Sequence, residues 1–234
     1  SSGRSALSIK AQFSLLMSNQ LMWRLLAADF LAGFGTAVSG ALYIFVASKY
    51  FELPGHASLA LLLYFVASFL AMPLWMKLAI KLGKAQALTI ALGYGALINL
   101  ILIPLAEPGN AVVLWCFTLS FGVAFGAAPT LLRTMMADLT DLDELDSGEK
   151  RAGLFFAMLT TTNKLGAAVA VGLSFTILET VFAFQPGAEN SETALQGLLW
   201  TYAVGTAAGL LLAVLPVINY PLNRAQHLKI RDQI

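Results

Sequence analysis

Charge is scarce in this chain. Only 12% of its 234 residues are Asp, Glu, Lys or Arg, against about 25% in an average soluble domain. A surface made for water on every side is therefore excluded. Cysteine is nearly absent: Cys116 stands alone, so no internal disulfide and no thiolate metal cluster can form. Histidine occurs twice, at His56 and His227, with no ligand spacing around either, and both are read as interfacial side chains. The net charge of +1 argues against a nucleic-acid partner. There is no Gly-rich phosphate loop, no paired metal ligands and no nucleophile near a histidine, so neither an enzyme nor a bound cofactor is expected. The opening residues, SSGRSALSIKAQFSLL, are mixed and polar and do not resemble a secretory signal. They also lack an initiating Met, which suggests a piece of a longer chain or a start after a linker.

What is present is hydrophobic length. The chain is 58% hydrophobic, with a mean hydropathy of +0.76. A helix needs about 20 mostly apolar residues to cross a bilayer. Runs over about 25–48, 57–80, 85–105, 111–136, 152–183 and 196–218 qualify. Each is too long for a strand and none alternates with period two, so helices are predicted rather than a barrel. Residues 1–20 read as a linker or interfacial segment, 21–218 as the membrane bundle and 219–234 as a tail.

The basic residues fall on one side. Arg4, Lys10, Arg24, Lys77, Lys81, Lys84, Arg133, Lys150, Arg151, Arg224, Lys229 and Arg231 gather there, and Lys49 is alone among several glutamates on the other. This bias predicts an even number of spans with both termini cytoplasmic. ADLTDLDELDSGEKRAG is then the longest cytoplasmic loop, acidic first and basic last. Gly122/Gly126 and Gly205/Gly209 have GxxxG spacing, and Gly33, Gly35 and Gly40 line the first span; close helix packing is expected at these positions. Pro73, Pro129 and Pro216 are candidate kinks. Tyr43, Trp75, Trp115, Trp200 and Tyr202 are read as interfacial aromatics.

One cation does not fit the pattern. Lys164 lies in the middle of the fifth span, too deep to snorkel easily to either face. Its helical neighbours are Ala157, Thr160, Thr161, Ala167, Ala168 and Val171, a small and hydroxylated face suited to water better than to lipid. Asn163 adds an amide at the same depth. Asp29 falls inside the first span, facing either a cavity or the interface. A mid-membrane lysine also occurs in retinal proteins, but those need seven spans with the lysine in the last.

The stretch MMADLTDLDELDSGEKRAGLFFAMLTTTNKLG, 135–166, resembles the glycoside–pentoside–hexuronide:cation symporters, the melibiose-carrier-like branch of the major facilitator superfamily. Ala137-Asp138, Asp141, Glu144, Gly148, Lys150-Arg151, Gly153-Leu154 and Lys164 fit that family's loop in order and spacing. PLWMKLAIKLGK at 73–84 is similar to another cytoplasmic turn of the family. The sequence departs from the pattern at Ala152, where many members carry an acid, near Ala128, where some do, and at Ala79, where the superfamily's basic loop often has an aspartate. The resemblance implies an all-α membrane protein: six transmembrane helices, half of a twelve-helix major facilitator fold, equivalent to helices seven to twelve and built from two inverted three-helix repeats.

The resemblance further implies a secondary active transporter in a cell inner (plasma) membrane, moving a sugar or glycoside with Na+ or H+ as coupling ion by alternating access. The partners would be the sugar, membrane lipids and an N-terminal six-helix half, which carries most cation-binding carboxylates in the family. Lys164, Asn163, Thr160, Thr161 and Asp29 are the candidate substrate-binding residues. Asp138, Asp141, Glu144, Arg133 and Arg151 are the candidate cytoplasmic gate. Asp143, Asp146 and Glu149 are read as solvated. Lys164 pairing with a carboxylate for folding alone is the other reading of that residue. A half-size transporter acting as a dimer and a non-transporting scaffold or receptor are the other readings of the chain.

Overall fold

The computed structural model describes residues 19–221. Arg4, Lys10, Arg224, His227, Lys229 and Arg231 lie outside the described residues, as do nearly all of the expected linker and tail. The described part is all-helical, and six helical segments are long and apolar enough to cross a membrane. α1 spans Gln20–Phe45 and runs into a π turn at Val46–Tyr50; α2 spans Pro54–Leu82 and α3 Lys84–Leu105. The fourth crossing is made of α4, Ala111–Phe125, and α5, Ala127–Ser147. α6 spans Ala152–Thr180 and α7 Glu192–Val217. The multi-pass membrane architecture expected from the hydrophobic runs is present.

The helix starts follow local chemistry. Asn19 accepts from the amides of Leu21 and Met22 at 3.0 and 3.1 Å, satisfying donors that have no intrahelical partner. Asn110 does the same for Val113 at 3.1 Å, and Ser191 for Ala194 at 3.2 Å. The fourth crossing differs from the sequence expectation in two ways. It continues to Ser147, well into the stretch expected to be a loop, and stops at Gly148, which takes a left-handed conformation with φ 72°. It also breaks at Gly126. The break has a direct cause: Pro129 has no amide proton for the Phe125 carbonyl, which is where α4 ends. Of the other candidate kinks, Pro73 lies inside the continuous α2 and Pro216 in the last turn of α7.

α1 is the central element, packed along α7 and α6, while α2 packs on α4 and α3 on α7. Small residues set these distances, since lipid gives helices no hydrophobic reason to associate. A Cβ on Gly209 would lie 2.5 Å from Gly35 Cα, and one on Gly122 2.5 Å from the Tyr64 carbonyl oxygen. A Cβ on Gly166 would run into the Phe30 carbonyl. Gly40 differs: nothing lies within 4 Å of its Cβ position, so the expected close approach is absent there.

Three aromatics expected at the interface belong to the core. Tyr43, Trp75 and Tyr202 are buried. Trp75 Nε1 donates to the Val123 carbonyl at 2.7 Å, tying α2 to α4, and the Tyr43 hydroxyl donates to the Ala57 carbonyl at 3.2 Å. Trp200 is half exposed on α7, as an interfacial residue would be. Near the chain ends, Arg24 donates to the carbonyls of Pro216 and Ile218 and lies over the Tyr220 ring. Burial raises the Tyr220 phenol above its usual range, against the pull of Arg24, so this ring stays neutral as a platform for the guanidinium.

Gly209→Ala is expected to lower stability by about 1–3 kcal/mol through overpacking, read from reversible unfolding in mixed detergent micelles. Gly40→Ala is expected to change it by less than about 0.5 kcal/mol, or to stabilise.

Candidate functional site

A cleft of about 240 Å³ lies between α1, the α4–α5 break and α6. α1 contributes Asp29, Ala32, Gly33 and Thr36, which recur on one helical face. The break contributes Phe125, Ala128, Pro129 and Arg133, and α6 contributes Leu159, Thr160, Asn163 and Lys164. One acid and two bases therefore line a cleft between membrane-spanning segments. Charged groups at such depth need water or polar partners within reach, and the cleft provides a polar environment for all three.

Asn163 is the tie across it. Its Nδ2 donates to Asp29 Oδ1 at 3.3 Å and to the Asp29 carbonyl at 3.4 Å. The amide sits where a side chain at position 33 would be: a Cβ on Gly33 would lie 2.8 Å from Asn163 Nδ2. Asp29 is 6% exposed. Its Oδ2 is buried and has no hydrogen-bond partner among the described residues.

Of the five candidate substrate-binding residues, the fold brings Lys164, Asn163, Thr160 and Asp29 to this cleft. Thr161 is not among the lining residues; it is exposed, and its hydroxyl donates to the Ala157 carbonyl at 2.8 Å. Around α6 the lining side chains run from Leu159 through Asn163 and Thr160 to Lys164; at about 100° per residue Thr161 falls beyond Lys164, past the edge of that arc.

The expected gate residues divide. Arg133 lies in the cleft, away from the acidic cluster, while the others sit at the end of the bundle where the described residues begin and end. There Lys84 Nζ donates to both oxygens of Asp138, at 2.6 and 2.8 Å, and to the Thr134 carbonyl at 3.3 Å. This joins the start of α3 to α5. Arg151 makes a two-point pair with Asp143, Nη2 to Oδ1 at 2.8 Å and Nε to Oδ2 at 3.0 Å, closing the turn between α5 and α6. Asp143, read from the sequence as solvated, is thus a mostly buried partner, and the Arg151 side chain is only 7% exposed. Glu144 meets Lys150 at 3.6 Å, with the Lys150 side chain 86% exposed, and such a pair contributes little. Asp141 is half-buried on the same helix.

Sequence reasoning missed Lys84 and Thr36. Lys84 is 54 positions from Asp138, and no local pattern joins them. Thr36 carried a signal in its i+7 spacing from Asp29, but its hydroxyl donates to the Ala32 carbonyl at 2.9 Å, so it faces the cleft with a satisfied proton.

The site is thus a polar cleft walled by membrane-spanning helices. The chain belongs to the family of MFS/sugar transport proteins, whose profile matches residues 1–224. Over 135 residues it is 32% identical to an uncharacterized symporter of Synechocystis sp.. That alignment covers 56% of this chain and 25% of the symporter, so the chain spans about a quarter of the length of the curated relative it matches.

Arg151→Ala is expected to destabilise the bundle by about 3 kcal/mol, because Asp143 is left with a desolvated charge and no partner. Arg151→Lys should recover only part of this, since an ammonium does not reproduce the two-point geometry. Unfolding in detergent micelles measures both. Combining Lys84→Ala with Asp138→Ala should cost less than the sum of the single changes in the same assay.

Proposed function

We propose that this chain forms one half of a cation-coupled sugar or glycoside symporter that works by alternating access, equivalent to helices seven to twelve of a twelve-helix carrier. The observation that carries the reading is the cleft, with Lys164, Asn163 and Thr160 on one face of α6 opposite Asp29 on α1. Ammonium, amide and hydroxyl groups are suited to holding sugar hydroxyls by directed hydrogen bonds. Lys164 makes no ion pair with any described residue, so its ammonium is available to the cleft.

The need for a second half is supported by how little of α6 is covered. Only 22% of its apolar stretch is buried, the least of the six crossings, against 50% for α1 and α7. A helix presenting Thr160, Thr161, Asn163 and Lys164 outward is poorly suited to lipid. The partner half would cover that face and enclose the cleft. The basic end of the bundle would be cytoplasmic, with both termini there, in the inner or plasma membrane. The Lys84–Asp138 and Arg151–Asp143 pairs join helices of this half, so they would keep its cytoplasmic end rigid while the halves rock. Arg151 Nη1, buried and without a hydrogen-bond partner among the described residues, is the donor left for the other half when that side closes.

The test is uptake of a panel of labelled sugars and glycosides by vesicles holding the full-length protein, with Na+ or H+ gradients imposed separately. Lys164→Ala is expected to lower uptake about tenfold or more, the cost of one charged hydrogen bond. Uptake that is at background for every sugar in both proteins would refute the carrier reading and leave a scaffold or receptor. Full activity from this chain alone, with loss of activity when it is kept monomeric, would establish the half-size dimer instead.

A further inference from the structure

Asp29 is not explained by its structural surroundings. It lies well inside α1, whose start is capped by Asn19, so it does not serve the helix end. Only Oδ1 accepts a side-chain hydrogen bond, a long one from Asn163. Oδ2 lines the same wall, buried and unpartnered among the described residues. A desolvated oxygen of this kind is costly to leave bare, and folding alone would be served as well by an apolar side chain.

The charged groups facing it come from two helices. Arg133 faces the cleft from α5 and Lys164 from α6; neither is within ion-pair distance of Asp29. α7, which packs along the other side of α1, contributes no residue to the cleft lining. Arg24, on the same helix as Asp29, is held by Pro216, Ile218 and Tyr220. A metal cation is a poor occupant. Hard cations collect several oxygen ligands, no group of three metal-ligating side chains occurs among the described residues, and two cationic side chains already line the space.

We propose that Asp29 is a proton-binding site in this half of the carrier, with its buried Oδ2 taking up the coupling proton from the cleft and returning it there. This rests on the carrier reading and adds to it, because the coupling ion is then held partly by this half rather than by the partner half alone. The proton bonds to Oδ2 and neutralises the carboxylate. The side chains lining the cleft then go from one net positive charge to two, so the field on a bound solute depends on the proton. By linkage, the solute must bias the proton equally. Asn163 conveys the change, since it donates to Asp29 beside Lys164 on α6.

Infrared difference spectroscopy on the purified full-length protein tests the site without any sugar. A pH titration should raise and remove the carbonyl stretch of a neutral carboxyl in the wild type. That band should vanish in Asp29→Asn and return, displaced, in Asp29→Glu. No Asp29-dependent band at any pH overturns the proposal, as does a carboxylate band that moves with added NaCl at fixed pH. Uptake of the sugar identified in the panel is the second arm: accumulation driven by a pH gradient should fall about tenfold in Asp29→Asn and recover in part in Asp29→Glu. Accumulation at the wild-type level in Asp29→Asn also overturns it. Should the wild type accumulate no sugar, the carrier reading fails while the infrared titration still decides whether Asp29 binds a proton.

Discussion

Ionic side chains inside an apolar bundle set the conditions for everything else in this structure. Asp29, Arg133 and Lys164 lie within segments long and apolar enough to cross a membrane. Hydrocarbon offers them nothing, so the fold must bring polar groups and space to the same place. The cleft does this by breaking one helix and thinning another. Pro129 interrupts the fourth crossing beside the cleft, and Gly33 leaves room for the Asn163 amide. The same residues that weaken local helix structure therefore make the site.

Rigidity around the cleft comes from two different sources. Within the membrane it comes from glycine contacts that bring α1 against α6 and α7 at backbone distance, where van der Waals packing replaces the hydrophobic effect. At the end where the described residues begin and end it comes from charge. Lys84–Asp138 and Arg151–Asp143 lie where both partners are mostly buried, and a two-point guanidinium–carboxylate pair fixes orientation as well as distance. The first source spaces the helices and the second fixes the turns between them. Together they hold the helices around the cleft in one arrangement.

The sugar-transport family membership and the cleft support one another. Family alone says nothing about which residues of this chain meet solute, and a cleft alone says nothing about what enters it. The uneven burial of the spans connects the two. α6 presents a hydroxyl, amide and ammonium face that the described bundle leaves exposed beside the cleft.

The sequence by itself determined the solvent, the number of crossings and the depth of Lys164. Those follow from hydrophobic length, sparse charge and helical spacing, which are local properties. It also placed Thr160, Asn163 and Lys164 on one face, because positions three and four apart must share one. The adjacent Thr161 could not be separated from them without a known facing direction. Only the tertiary structure decided the partners. Lys84 meets Asp138 across 54 positions, Arg133 turns into the cleft rather than toward the acids beside it in sequence, and Asp143 is claimed by Arg151 because Gly148 reverses the chain between them. Pairings of that kind depend on where whole helices lie relative to one another, and that is fixed by the close contacts of glycines and carbonyls on helices far apart in the chain.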